Sequence, residues 1–139
     1  MFLNHASGTA SGAVYEYFAY NGTPIGNIQQ SGTTAVIYST TSDYRLKKNV
    51  QLMTTGLSVI GALKPVTYDW IGVDEKGEGF IAHELQEFVP LAVTGQKDAV
   101  DADGKPILQG VDYSKIVVHL VAALQELDAK FEAYKAAHP

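Results

Sequence analysis

The sequence predicts an α+β protein in three parts: a short β-rich segment, a small mixed α/β body with a protruding hairpin, and a long C-terminal helix. Charge is the first sign. Residues 1–41 hold a single charged side chain, Glu16, and the other twenty-four charged residues all follow. In the first part, short runs of β-branched and aromatic residues stand between turn signals, which is the pattern of hairpin strands. At the far end, Tyr113, Val117, Leu120, Leu124, Leu127, Phe131 and Tyr134 recur at steps of four and three, the spacing of a heptad helix.

Taken in order, Val14 to Tyr20 reads Val-Tyr-Glu-Tyr-Phe-Ala-Tyr and ends at Asn21-Gly22, a strong hairpin turn. Ile25 to Ile28 resumes the strand pattern, Ser31-Gly32-Thr33 turns again, and Ala35 to Tyr38 forms a third short strand. Isolated hairpins are marginal in water, so this segment needs neighbours, and further copies of the chain are the nearest source. Beyond the charge boundary, Thr55 to Lys64 places Leu57, Val59, Ile60 and Leu63 on one helical face, with Thr54 or Thr55 as cap and Pro65 as stop. Val66 to Trp70 alternates as a strand, Asp74 to Gly79 is a charged turn, and Phe80-Ile81-Ala82 is expected as the partner strand. A second short helix is expected over Glu84–Val89, ending at Pro90.

Leu91–Thr94 and Pro106–Gln109 flank a polar stretch, Gly95 to Lys105, which reads as a protruding hairpin or finger. Its Asp101-Ala102-Asp103-Gly104 tip lacks the downstream glutamate of a calcium loop and reads as a solvated turn, so no metal is expected there. The heptad seam is narrow, as in helices buried against copies of themselves. The competing reading is a helix packed on its own domain, with Ile116, Val121 and the alanines widening the stripe. Lys130 and Lys135 would face each other in a parallel bundle, which is mildly unfavourable.

A chain of 139 residues suits one compact domain with an appendage. The net charge of −5 argues against nucleic acid as main partner, since neutralising a phosphate backbone takes a clustered excess of Lys and Arg. Without cysteine there is neither a disulfide nor a thiolate metal site. No apolar run approaches the roughly 20 residues that span a bilayer, and Met1-Phe2-Leu3-Asn4-His5 lacks the build of a secretory leader, so a soluble protein without membrane partner is expected. An opening in mid-pattern suggests that a longer protein lies upstream.

The charge boundary carries the candidate chemistry. Thr40 to Asn49 reads Thr-Thr-Ser-Asp-Tyr-Arg-Leu-Lys-Lys-Asn and sets the hydroxyl of Ser42 five residues before Lys47. Neither helical nor strand periodicity points these two positions the same way, so a turn or a partner chain must bring them together. Such a pair alone is ordinarily two surface residues.

The wider pattern changes that reading. The segment Thr41 to Asn49, then Gly61-Ala62-Leu63-Lys64-Pro65-Val66-Thr67-Tyr68-Asp69-Trp70, then Gly79 to Leu85, and finally Val111-Asp112-Tyr113-Ser114-Lys115 leading into the long helix resemble one known family. It is the self-cleaving intramolecular chaperone domain that ends many bacteriophage tailspike and tail-fibre proteins, endosialidases included, and a similar domain occurs in myelin regulatory factor. The resemblance spans residues 42–139. Residues 1–41 resemble the end of a fibre stalk, less specifically.

The resemblance implies a homotrimer whose long helix forms a coiled coil and whose partners are itself and the upstream fibre β-structure. It implies that residues 42–139 assist folding of that stalk and then release themselves by cutting Thr41–Ser42 with a Ser42–Lys47 dyad. It also implies a place in the virion tail, the precursor being assembled in the host cytoplasm, and no cofactor. The residues agree with this chemistry. A serine hydroxyl is a weak nucleophile until a base takes its proton, and lysine is that base only when neutral, a state favoured by burial or nearby positive charge. Arg45 and Lys48 have the right sign, and closure of a trimer would add desolvation. Because Ser42 follows the bond, its oxygen reaches the Thr41 carbonyl through a five-membered ring.

His83 is a candidate third participant, to orient the nucleophile or protonate the leaving amine, against the reading of a structural histidine. Glu84 is a weaker candidate. His5, His119 and His138 read as incidental, and Tyr68, Trp70 and Phe80 as core rather than a sugar platform. The alternatives to a self-cleaving chaperone are a structural trimerisation cap that never cuts and, last, a carbohydrate-binding fibre tip.

Overall fold

The computed structural model describes residues 3–138. The chain divides into two compact units, residues 1–50 and 51–139, so the Thr41–Ser42 bond lies inside the first. That unit is a three-stranded antiparallel sheet in the order β1 (Val14–Tyr20), β2 (Thr23–Ser31), β3 (Ala35–Thr40). Asn21 and Gly22 join the first two strands with φ of 48° and 75°. Both angles are left-handed, the condition of the two-residue hairpin turn whose twist matches its strands.

The sheet has little to rest on. Among the described residues of this unit none is buried, and Tyr17, Tyr20 and Tyr38 are 62, 77 and 76% exposed. β1 and β3 are both open edges. A sheet of this size with its aromatic residues in water gains little from burial.

In the second unit, α1 (Gly56–Ala62) is followed by the hairpin β4 (Val66–Asp69) and β5 (Lys76–Gly79), then α2 (Ala82–Gln86). The hairpin β6 (Val93–Thr94) with β7 (Gly110–Val111) comes next. A 3-10 turn, Tyr113–Ile116, then runs into α3 (Val117–Ala137). The core is Leu85, Val89, Ala92, Val93 and Ile116, with Val59 and Ile60 of α1 and Leu63 just after it packed against it. Among the described residues no helix is long and apolar enough to cross a membrane.

Two expectations need correcting. The partner strand of β4 is Lys76–Gly79, inside the expected charged turn, and not Phe80–Ala82. Glycine is why. Gly77 lies opposite Tyr68 and Gly79 opposite Val66, and a Cβ at these glycines would collide with the rings of Tyr68 and Tyr113. Phe80 leaves the strand to pack on the core and on Tyr113, and α2 begins at Ala82, two residues earlier than expected. The second correction concerns Trp70, which is 54% exposed and meets Tyr68 edge-on at 5.1 Å rather than sitting in the core.

The finger is a hairpin. Thr94 pairs with Gly110 at its base, Val100 bridges Pro106 further out, and the Ile107 N–H donates to the Ala99 carbonyl at 2.8 Å. At the tip one Asp101 carboxylate oxygen accepts the backbone N–H groups of Asp103 and Lys105, both at 2.9 Å. The acidic tip is thus a side-chain-closed turn.

α3 serves two faces. Ala122 and Ala123 are buried where α3 meets α1, and the carboxylate of Glu126 accepts the N–H of Gly56 at 2.6 Å and of Leu57 at 3.3 Å. The N-terminus of α1 is therefore capped from another helix. Thr55, expected to cap it, makes no side-chain bond there. The heptad residues point elsewhere: Val117, Leu120, Leu124, Leu127, Phe131 and Tyr134 are all exposed, from 50% for Leu120 to 67% for Leu124. The intramolecular reading holds for the alanine face, and the heptad seam is left exposed in the single chain.

Gly56 shows how close the two helices lie. A Cβ there would sit 2.5 Å from the Ala122 carbonyl carbon and 2.8 Å from its Cβ. Alanine gains about 1 kcal/mol over glycine in helix propensity, but overpacking of this kind costs about 1–3 kcal/mol and the facing atoms are backbone. Gly56→Ala is expected to destabilise the second unit, read as a lowered midpoint in denaturant. An unchanged or raised midpoint would contradict the packing.

Candidate functional site

The candidate site forms where the sheet ends. Thr41 is the last residue tied to it: its N–H donates to the Ile25 carbonyl at 3.1 Å and its hydroxyl to the Pro24 carbonyl at 3.3 Å. Immediately afterwards the chain reverses. Asp43, in extended conformation, caps a 3-10 turn over Tyr44–Leu46, and Lys47 follows, again extended. The Leu46 N–H donates to the Asp43 carbonyl at 3.1 Å and the Lys47 N–H to the Tyr44 carbonyl at 3.0 Å.

This turn does what neither helix nor strand periodicity allows. It folds residue 47 back on residue 42, and Lys47 Nζ lies 2.7 Å from Ser42 Oγ, donating to it. An amine and a hydroxyl at that separation have the geometry for proton transfer once the amine is neutral. Both residues are exposed in the single chain.

Asp43 closes the turn. Its Oδ1 accepts the Arg45 N–H at 2.8 Å and Arg45 Nε at 2.9 Å, and its Oδ2 accepts the guanidinium Nη2 at 2.7 Å. These hydrogen bonds to Arg45, with a smaller contribution from the charge of Lys47, hold the Asp43 carboxyl below its ordinary 3.8. The same pairing raises Arg45. A depressed carboxyl stabilises the fold above its ordinary value, so the clamp is present at neutral pH and is lost only as acid takes the pH down through the lowered value.

The role of Asp43 is absent from the expectations above, which treated Arg45 only as a neighbouring charge. A signal for it exists in the sequence: an aspartate two residues before the amide it accepts is the pattern of a side-chain-closed turn.

His83 lies in the second unit, half-buried on α2. There it lines a hollow of about 250 Å3 against the finger, with Gln96, Asp98, Pro106 and Gln109 among the other walls. The dyad candidates thus share one unit and His83 belongs to the other. Glu84 faces Lys64 at 3.6 Å, a structural pairing on the surface. His5 stacks on Tyr15 and pairs with Gln30, and His138 pairs with the Tyr134 carbonyl.

Residues 42–94 fit the family model described as Chaperone of endosialidase, a serine-type peptidase family by its name. The matched stretch starts at Ser42 and includes Lys47 and His83. No curated protein matches the chain significantly.

Proposed function

We propose that this chain, whose residues 42–94 fit the endosialidase-chaperone family model, acts as a homotrimeric folding template that cuts itself free at Thr41–Ser42. The observation that carries the proposal is the 2.7 Å approach of Lys47 Nζ to Ser42 Oγ directly after the bond to be cut. Assembly rests on the exposed seam of α3, which continues at Tyr113 and Leu120 into an apolar groove with Ile60, Leu63, Phe80 and Ile116. The unpartnered sheet of residues 14–40 is the end of the fibre stalk being folded. The setting is a phage tail, and the partners are further copies of the chain and the β-structure upstream.

In this reading cleavage runs in balanced steps. Neutral Lys47 takes the Ser42 hydroxyl proton while Oγ attacks the Thr41 carbonyl carbon through a five-membered ring. The tetrahedral intermediate then loses the Ser42 nitrogen, which takes up a proton and becomes a free amine. An ester now joins Thr41 to Ser42 Oγ. Water opens it, leaving a carboxylate on Thr41 and restoring the hydroxyl. In the single chain water reaches both dyad residues, and closure of the trimer, which removes that water, is what couples the cut to assembly in this reading.

The direct test is the mass of the assembled protein with time. A fragment whose first residue is Ser42 is the expected product. Intact chain after prolonged incubation of the oligomer would instead mean a trimerisation cap that does not cut. His83 enters the proposal as proton donor to the leaving amine, and a positioned acid of this kind is worth about 100-fold or more. His83→Ala is therefore expected to slow appearance of that fragment by about that factor without altering oligomeric mass; cleavage at the parent rate would remove His83 from the chemistry.

A further inference from the structure

We infer that Asp43 is a positioning residue, holding the five-residue turn in the one form that presents the Lys47 amine to Ser42. The inference rests on the cleavage reading above and deepens it. Three contacts made by one carboxylate carry it: the Arg45 N–H, Arg45 Nε and Arg45 Nη2, at 2.8, 2.9 and 2.7 Å. They lie between the nucleophile and the base in sequence. Asp43 reaches neither reacting atom with these bonds, so it acts through the path of the chain.

The need for such a device is physical. Only two backbone bonds, Asp43 to Leu46 and Tyr44 to Lys47, otherwise shape a short 3-10 turn that stands exposed at the end of a sheet. Turns this short are weakly held, since their hydrogen-bond geometry is poorer than that of an α-helix. Lys47 adds a long, freely rotating side chain. A carboxylate that accepts the Arg45 amide and grips the guanidinium bidentately removes the alternatives open to residues 44–46 and fixes where the lysine stem begins. The Arg45 side chain is 74% exposed, so the grip contributes geometry more than stability.

The experiment compares Asp43→Ala with Asp43→Asn and Arg45→Ala. Asparagine keeps an oxygen for the Arg45 N–H and loses the charge, whereas alanine loses both. The first readout is the first-order rate of appearance of the Ser42 fragment in assembled protein. The second uses no cleavage: the nuclear Overhauser contact between the Cα proton of residue 43 and the amide proton of Leu46, which reports the turn itself, in an uncut Ser42→Ala background. Misplacing a reacting group by about 1 Å can cost ~100-fold, so Asp43→Ala is expected to slow cleavage at least about tenfold and to abolish the contact. Asp43→Asn should recover most of both. Arg45→Ala, which leaves the backbone bond in place and perturbs only an exposed side chain, should fall between them, and it keeps the comparison readable if Asp43→Ala fails to assemble.

Cleavage of Asp43→Ala and Arg45→Ala at the parent rate would overturn the inference. So would equal slowing of Asp43→Ala and Asp43→Asn with the contact intact, because the carboxylate would then act by charge and not by shape. Failure of the parent protein to cleave would sink the proposed function alone. The contact would still decide whether Asp43 sets the turn.

Discussion

Ser42→Ala is expected to accumulate as an uncut oligomer, with no fragment beginning at position 42 at any time. Removal of a serine nucleophile costs a factor of about 1,000,000, which for a single-turnover reaction means no product on a practical time scale. The substitution deletes one exposed oxygen and its bond to Lys47, so sedimentation mass and melting should stay near those of the parent. Lys47→Arg is the sharper companion. Arginine keeps a positive donor within reach of Ser42, yet it does not give up its proton in proteins. A lysine acting as base predicts that Lys47→Arg is as dead as Ser42→Ala. A lysine that merely tethers the serine predicts that it cuts, and that result would remove the dyad.

Leu124→Asp is expected to give monomers, and with them no cleavage. Leu124 is 67% exposed within its own chain, so folding of the second unit has little stake in it. Its worth lies in assembly. Burying a leucine fully contributes about 1.5–3 kcal/mol, and with two thirds of Leu124 still to be buried three copies lose roughly 3–6 kcal/mol per trimer. Three carboxylates forced into one seam add desolvation and mutual repulsion on top. Gln125→Asp, one residue away and off the seam, is the control, and it should assemble and cut as the parent does. The measurement is sedimentation mass beside circular dichroism and the fragment assay. Monomers that still released the Ser42 fragment would break the link between assembly and chemistry. A Leu124→Asp chain that still assembled would show that copies meet on some other face.

The two substitutions separate functions carried by different parts of the chain. Loss of cutting with assembly intact points to the turn after Thr41, and loss of both points to α3. An arrangement in which assembly arms the cut has an evident use for a folding template, since release before the stalk is in register would waste it. The exposure of both Ser42 and Lys47 in a single chain is consistent with that order of events.

Much of the fold was legible from local chemistry. β1 matches its expected limits because its aromatic run stops at Asn21-Gly22, a turn that those two residues can adopt and few others can. The finger, too, follows from turn residues between short apolar flanks. Where neighbours distant in sequence set the outcome, expectation and structure part. β5 is built on glycine because the rings of Tyr68 and Tyr113 need the space, and nothing near Gly77 or Gly79 in sequence says so. The cap of α1 comes from Glu126, 70 residues away from Gly56, and a local search stops at Thr55.

For the candidate site, the sequence alone named Ser42, Lys47 and the bond before them, through residue types and a family pattern. It also set the heptad spacing of the long helix, since periodicity is a property of the chain itself. Only the tertiary structure decided that the heptad face stays open while Ala122 and Ala123 take the contact with α1, because which side of a helix is covered depends on what packs there. It likewise decided how positions 42 and 47 meet. A 3-10 turn closed by Asp43 brings the amine to the hydroxyl, and a turn of that kind is set by a few directional hydrogen bonds rather than by a repeating pattern.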